Sequence, residues 1–450
     1  MMDVRKRTSP LASRRPPRVH VITMGCAKNL VDSERLMGQL RRAGIEMTPT
    51  PDGADIAVIN TCGFIDAARE ESIDMIIDTV RRKSGGSLKK VIAMGCLTER
   101  YRGDILASIP ELDAVFGAND LPGIVRSIGA DYRHELLGER VLTTPSHFAY
   151  VKISEGCDRP CSFCAIPLMR GKHAGRSIEE IVAEVYGLAE LGVRELIVIG
   201  QDTTYYGLDT YGRRRLPELL GAIADVPGIE WVRLMYAYPA QFPHGVLDII
   251  ADHPRVCKYL DMPVQHIADP VLRSMRRGIT AHGIRSLIDT IRTRIPGIAL
   301  RTTLITGYPA ETEKEFAALM EFVRETEFDR LGVFTYSQEE GTAAFALGDP
   351  VPREEKERRK AAIMSLQQEI SLRRNEALVG SVQRVLIDRS GDGAYAGRTS
   401  RDAPEIDNEV TVTSPRPLAP GTFVDVEIVD ALEYDIAGEV VDLPTSPRPS

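Results

Sequence analysis

The sequence predicts an α/β protein in three parts: an open parallel sheet covered by helices, a second β/α unit forming a partial or complete barrel, and a small closed β-barrel at the end. Two observations carry this. Short apolar runs alternate twice with amphipathic helical stretches, the second time at a longer period. After residue 376 the pattern changes to five short alternating strands separated by Gly, Asp and Pro turns. At 450 residues the chain is too long for one ordinary core, since domains usually run to about 100–200 residues.

In order, residues 1–17 are rich in Arg, Ser and Pro, lack the apolar stretch of a secretory signal, and read as a disordered arm. The first domain spans 18–133, with strands expected at 19–23, 55–60 and 90–93 and a weaker fourth at 114–116. Residues 134–147 are a linker. The second domain, 148–376, has strands expected at 150–153, 195–199, 231–235, 259–262, 299–304 and 331–334, and six β/α units suggest a barrel. It ends in a charged helical stretch, 352–376. The third domain, 377–443, has strands expected at 381–388, 394–398, 409–413, 423–429 and 434–440, and resembles a barrel of the oligonucleotide-binding kind. Residues 444–450 read as a disordered tail.

Composition is that of a globular protein, 43% hydrophobic and 27% charged, with no apolar run near the roughly 20 residues of a membrane span. A membrane protein is excluded and the cytoplasm is the expected compartment. The net charge of −8 gives no global case for nucleic-acid binding. Seven cysteines, sparsely placed, suit metal ligation or catalysis better than a disulfide framework.

Three of them, Cys157, Cys161 and Cys164, lie on one loop at the carboxyl end of an expected strand, the face from which β/α barrels draw their active sites. Three thiolates are one short of the usual four for a [4Fe-4S] cluster, which leaves one iron open to substrate or cofactor. Zinc is the alternative, but it would want a fourth nearby ligand, and His173 is poorly spaced for that.

The C-x3-C-x-aromatic-C spacing resembles the signature of the radical S-adenosylmethionine superfamily. The resemblance implies a cofactor bound through its methionyl amine and carboxylate to the open iron and cleaved to a 5'-deoxyadenosyl radical. It also implies that Phe163 packs near the adenine, unless it is plain core. By the same resemblance Gly200 and Gln201 form a turn for the amine, Arg233 pairs with the carboxylate, and the run 305–312, with Thr306 and Gly307, contacts adenine and ribose. Ala310 stands where a glycine is expected.

Cys26, Cys62 and Cys96 are too far apart for a local motif, yet each closes an expected strand. In a parallel sheet the carboxyl ends share one edge, where ligands bind open α/β folds, so the three thiolates should converge as a second three-cysteine cluster site. Gly25 and Gly95 would let the backbone turn tightly there. Taken singly, each cysteine reads as a small buried hydrophobe. Cys257 has no partner pattern and is read as structural.

Two such triads on α/β domains followed by a small β-barrel resemble the methylthiotransferase family, and Met24-Gly25-Cys26-Ala27-Lys28-Asn29-Leu30-Val31-Asp32-Ser33-Glu34 matches its N-terminal motif. The resemblance implies two [4Fe-4S] clusters, one S-adenosylmethionine as methyl donor and a second as radical source, a reductase system as electron donor, and a C-terminal TRAM domain. The family divides between a tRNA adenosine and an aspartate of a small-subunit ribosomal protein as target. Residues 377–443 hold five arginines, no lysines and thirteen acidic residues, whereas the rest of the chain is balanced at 51 against 51. A barrel that bound tRNA should be basic; an acidic one suits a basic ribosomal protein, or is simply a solvated acidic face. The runs Pro263-Val264-Gln265-His266, Tyr336-Ser337-Gln338-Glu339-Glu340-Gly341-Thr342 and Gly397-Arg398-Thr399 with Ala403-Pro404-Glu405 resemble the ribosomal-protein branch. Transfer to tRNA, or a non-catalytic iron-sulfur protein, are the alternatives.

Overall fold

The computed structural model describes residues 15–86, 88–133, 138–391 and 393–441. Residues 1–14 of the expected arm, 134–137 of the expected linker and the whole expected tail lie outside them.

The first sheet is parallel throughout, in the order Glu46–Met47, Arg18–Thr23, Ile56–Thr61, Lys90–Gly95, Ala114–Val115. Its central strand Ile56–Thr61 is buried at every position, as an apolar run covered by helices on both faces must be. The helices Ala27–Arg42, Asp66–Ser84 and Cys96–Arg100 each start at or shortly after one of the three N-terminal cysteines. The edge strand Glu46–Met47 was not foreseen.

Six parallel strands form the central sheet, in the order Arg330–Thr335, Ala299–Thr306, Val256–Asp261, Trp231–Leu234, Glu195–Ile199, Phe148–Lys152. It does not close, so the barrel is partial. One face carries the main core, where Val232, Leu234, Leu300 and Leu304 pack with helix residues such as Leu219, Ile288 and Phe322. The other presents Phe148, Tyr150, Ile197, Trp231, Tyr259 and Ala299 to residues from outside the domain: Val31 of the first helix, and Leu386 and Ala403 of the C-terminal domain.

That C-terminal domain is a closed five-stranded barrel in the order Val382–Ser390, Tyr395–Thr399, Val410–Thr413, Ile436–Val440, Phe423–Ala431. Alternate residues Val385, Ile387, Val410, Val412, Val426 and Ile428 fill it, the period-two pattern expected of half-buried strands. Its loop 399–408 reaches into the inner face of the central sheet. Asp402 accepts from Arg330 Nε at 2.8 Å, Asp407 from Tyr259 and Arg301 at 2.8 and 3.2 Å, and Glu405 from Tyr150 at 3.0 Å.

The described part of the expected linker is a strap rather than a tether. Arg140 is buried, donates to the Tyr150 carbonyl at 2.7 Å and to Glu184 at 2.8 Å, and pairs with Glu34 of the first helix. His147 Nε2 lies 2.7 Å from Asp388 of the barrel.

Candidate functional site

Cys26, Cys62 and Cys96 stand at the carboxyl ends of three neighbouring parallel strands, Arg18–Thr23, Ile56–Thr61 and Lys90–Gly95. Two glycines make the close approach possible. Gly25 has φ +86°, and a Cβ there would lie 2.8 Å from Cys62 Sγ; Gly95 has φ +112°, and its Cβ would lie 2.5 Å from the Thr61 carbonyl. Asn29, in the first turn after Cys26, donates to the Met24 and Thr61 carbonyls at 2.8 and 3.1 Å and lies 3.7 Å from Cys96 Sγ through its Oδ1. Cys26 is exposed while Cys62 and Cys96 are buried, so the triad opens outward on one side.

The second triad follows the strand Phe148–Lys152 and the short strand Ser154–Glu155 of a hairpin completed by Ala174–Gly175. Arg277 donates to Cys161 Sγ at 3.2 Å, and the Tyr238 hydroxyl lies 3.6 Å from the same sulfur. Two guanidiniums cover the Tyr238 ring, Arg159 at 4.1 Å and Arg277 at 4.3 Å. Burial pushes the Cys96 and Cys157 thiols up to about 11 and Cys164 to about 12, and raises Cys62. Neutral as free thiols, they become good ligands when a bound cation compensates the thiolate charge.

At the carboxyl end of the central sheet, Ser154 Oγ, Arg159 Nη2, Gln265 Oε1 and Arg277 Nε are buried without a hydrogen-bond partner among the described residues. Buried polar atoms are nearly always paired, so these donors and acceptors fit the amino-acid and ribose groups of S-adenosylmethionine. Tyr236, Gln265 and Arg276, all from the same neighbourhood, have φ of +58°, +72° and +54°, strain of a kind that clusters at functional sites. Gly200 lies at this end too, where a Cβ would come 3.0 Å from Ser154 Oγ, with Gln201 beside it. Phe163 packs on the cluster of Met275, Tyr308 and Tyr336, together with Ile305 and Ala310.

Two expectations, Arg233 and the Thr306 side chain, need correction. Arg233 is fully buried and committed elsewhere: Nε donates to Glu195 at 2.9 Å and Nη1 to the Ser400 carbonyl at 2.8 Å. It joins the barrel to the sheet and is not free to hold a cofactor carboxylate. Thr306 alternates to the helix-covered face, its hydroxyl 3.5 Å from the Lys356 carbonyl. Gly307, at φ +73°, is pressed so closely on the Lys356 side chain that a Cβ would come within 2.3 Å of it. Thr306 and Gly307 therefore offer a ligand their backbone rather than a side chain. Glu311 holds it, accepting from Gly307 N–H at 2.9 Å and facing His266 Nε2 at 3.0 Å, with Arg359 donating as well. Ala310 is not among the positive-φ residues, so the absent glycine causes no strain.

Two links between the first and central domains had no signal in spacing, because their partners lie far apart in the chain. Arg170, six residues beyond Cys164, donates to Cys96 Sγ at 3.2 Å. Glu339 accepts from Arg69 at 2.5 Å and Arg100 at 2.6 Å, on the helices that follow Cys62 and Cys96.

Three family models match the chain: Uncharacterized protein family UPF0004 over residues 18–117, the Radical SAM superfamily over 151–323 and the TRAM domain over 379–441. The chain is 52% identical over 427 residues to the ribosomal protein uS12 methylthiotransferase RimO of Cytophaga hutchinsonii, an alignment covering 94% of this chain and 98% of that one. The chain belongs to the RimO family. Relatives of the same name in Chloroherpeton thalassium and Bacteroides thetaiotaomicron are 50% and 47% identical, each over 94% of this chain and 98% of theirs. Membership makes the chain a radical S-adenosylmethionine methylthiotransferase and implies S-adenosylmethionine and [4Fe-4S] chemistry. Among solved structures it resembles the radical S-adenosylmethionine methyltransferase TsrM from Kitasatospora setae, with TM-score 0.52 and 14% identity, covering 84% of this chain and 80% of that one. It also resembles the cobalamin-dependent radical enzyme OxsB, with TM-score 0.50 and 12% identity, covering 78% and 56%. These likenesses show the fold. Among the described residues no helix is long and apolar enough to cross a membrane.

Proposed function

We propose that the chain attaches a methylthio group to the β-carbon of an aspartate in ribosomal protein uS12, with Cys157, Cys161 and Cys164 holding one [4Fe-4S] cluster and Cys26, Cys62 and Cys96 a second. The observation that carries this is the pair of cysteine triads, each at the carboxyl edge of its own parallel sheet and joined across the domains by Arg170. When bound, the clusters and S-adenosylmethionine supply the methylthio sulfur and a 5'-deoxyadenosyl radical able to take hydrogen from an unactivated carbon. The protein's part is to orient and to shield. Arg277 and Tyr238 support the Cys161 sulfur, the unpartnered Ser154, Arg159 and Gln265 atoms bind the cofactor's polar groups, and Phe163 packs beside its adenine near the Gly200–Gln201 turn.

The C-terminal barrel receives the basic substrate. Its charge is not all available, since Asp388, Asp402 and Asp407 are engaged by Arg398, Arg330 and Arg301. The outward carboxylates Glu427, Asp430, Asp435 and Glu439 remain exposed, and Glu427 and Glu439 sit directly opposite on paired strands. Like charges so placed repel and are relieved by a cationic partner. On this reading the domains divide at 133, 147 and 376, electrons come from a cytoplasmic reductase, and the reaction takes place where ribosomal proteins are assembled.

Mass spectrometry of uS12 and of tRNA after reaction with the anaerobically reconstituted enzyme tests the substrate: uS12 should gain a methylthio group, and modified tRNA with unmodified uS12 would overturn the reading. Cys161→Ala should abolish 5'-deoxyadenosine formation, while Cys62→Ala should retain it and lose sulfur transfer. Equal loss in both would refute the division between triads.

A further inference from the structure

The short helix Ile166–Arg170 begins two residues after Cys164 and ends on a side chain that leaves its own domain. Arg170 is 2% exposed. Its Nε donates to Cys96 Sγ at 3.2 Å, one Nη to Asn29 Oδ1 at 2.5 Å, and the other to Asp32 Oδ2 at 2.6 Å and Glu155 Oε2 at 3.3 Å. The same helix packs Ala165, Ile166 and Met169 against Cys96. Every branch of the guanidinium is therefore fixed, and one branch is fixed on sulfur.

We infer that Arg170 is a positioning residue that sets the charge environment of the N-terminal cluster and ties its Cys96 ligand to the loop bearing the other triad. The inference rests on Cys26, Cys62 and Cys96 being cluster ligands. Arginine suits the role: its fork is planar, permanently charged and less strongly hydrated than an ammonium. Hydrogen bonds to cluster sulfurs and nearby charge shift reduction potentials, and a buried cation acts more strongly than an exposed one. A guanidinium beside Cys96 favours the reduced, more negative state. Asp32, which also pairs with Lys152, opposes that field. Removing the carboxylate should thus act in the opposite sense to removing the guanidinium.

The test uses the full chain with Cys157, Cys161 and Cys164 all changed to alanine, so that only the N-terminal triad can bind iron. Iron and sulfide are counted, and the one-electron midpoint is read by dithionite titration with electron paramagnetic resonance. Adding Arg170→Gln should shift the ratio of oxidised to reduced cluster at least tenfold toward oxidised at the parent's midpoint, which is 59 mV for a one-electron couple. Arg170→Lys should shift it less, and Asp32→Asn should shift it toward reduced. If the parent holds no iron, the cluster reading fails and takes this inference with it. If the parent holds iron and Arg170→Gln stays within twofold of it, or all three variants shift the same way, the role of Arg170 alone is overturned. Should Arg170→Gln not hold a cluster, the opposite shifts of Arg170→Lys and Asp32→Asn decide the matter.

Discussion

Glu195→Gln should loosen the C-terminal barrel from the central sheet and leave S-adenosylmethionine binding intact. Glu195 is fully buried; it accepts from Arg233 Nε at 2.9 Å, and its other oxygen lies 2.7 Å from Arg398 Nη1. The amide keeps the shape but removes the charge. Arg398 then retains Asp388, at 2.7 and 2.9 Å, while Arg233 keeps the backbone carbonyls of the barrel loop and a neutral amide oxygen but no carboxylate. Removing one member of a buried pair costs about 3–5 kcal/mol, and the surviving amide oxygen reduces this to about 2–4 kcal/mol. The protein's single tryptophan reports the event: Trp231 is buried and meets Phe423 of the barrel edge-on at 4.8 Å. With urea slopes of about 1–3 kcal/mol per molar, the fluorescence midpoint should fall by about 1 M, while calorimetric titration gives an unchanged Kd for S-adenosylmethionine. An unchanged midpoint with weakened cofactor binding would restore Arg233 to the cofactor site and refute the reasoning.

Two further outcomes are expected. Burial would raise the Glu184 carboxyl, but Arg35, Arg176 and Arg140 hold it at about 2 against an ordinary 4.5. A depressed carboxylate stabilises the fold fully above about pH 4.5 and loses its effect as pH falls toward 2; at 1.36 kcal/mol per unit the contribution is on the order of 3 kcal/mol. Melting temperatures across this range should therefore fall less steeply for Glu184→Gln than for the parent, and parallel slopes would contradict the assignment. Gly25→Ala combines a left-handed φ with a Cβ 2.8 Å from Cys62 Sγ, whereas Gly44, at φ +76°, has open space around it. Gly25→Ala should lose about half the bound iron yet still cleave S-adenosylmethionine, and Gly44→Ala should keep its iron. Equal iron loss in both would show that backbone strain, not crowding of the thiol, is responsible.

Much of the architecture was legible because the central strands are apolar on both faces and end in Gly and Cys. Ile56–Thr61 and Glu195–Ile199 are buried throughout, and such runs stand out between amphipathic helices. Glu46–Met47 and the Ser154–Glu155 hairpin are two-residue pairings with no periodicity to read. That Cys26, Cys62 and Cys96 share one sheet edge was legible from the strand ends, and that Cys157, Cys161 and Cys164 share one loop from their spacing. Arg233 and Thr306 were misread for a different reason: strand position gives neither the neighbour that another domain supplies nor the face a side chain takes at a sheet's end. Arg233 meets a loop from residues 399–408, and Thr306 meets the helix Arg353–Glu376. Arg170, Arg277 and Glu339 stayed hidden because a charged residue reveals its role only through a partner, and theirs lie 74, 116 and more than 200 residues away.

The loop 399–408 makes the C-terminal barrel a part of the central domain's own interior. Its carbonyls and carboxylates complete the inner face of the sheet for Arg233, Arg301 and Arg330, so the central domain has a finished surface there only with the barrel docked on it. A chimaera carrying another relative's barrel would need to bring the complementary arginines with it, and a chain cut after residue 376 would leave Trp231, Tyr259 and three arginines facing water.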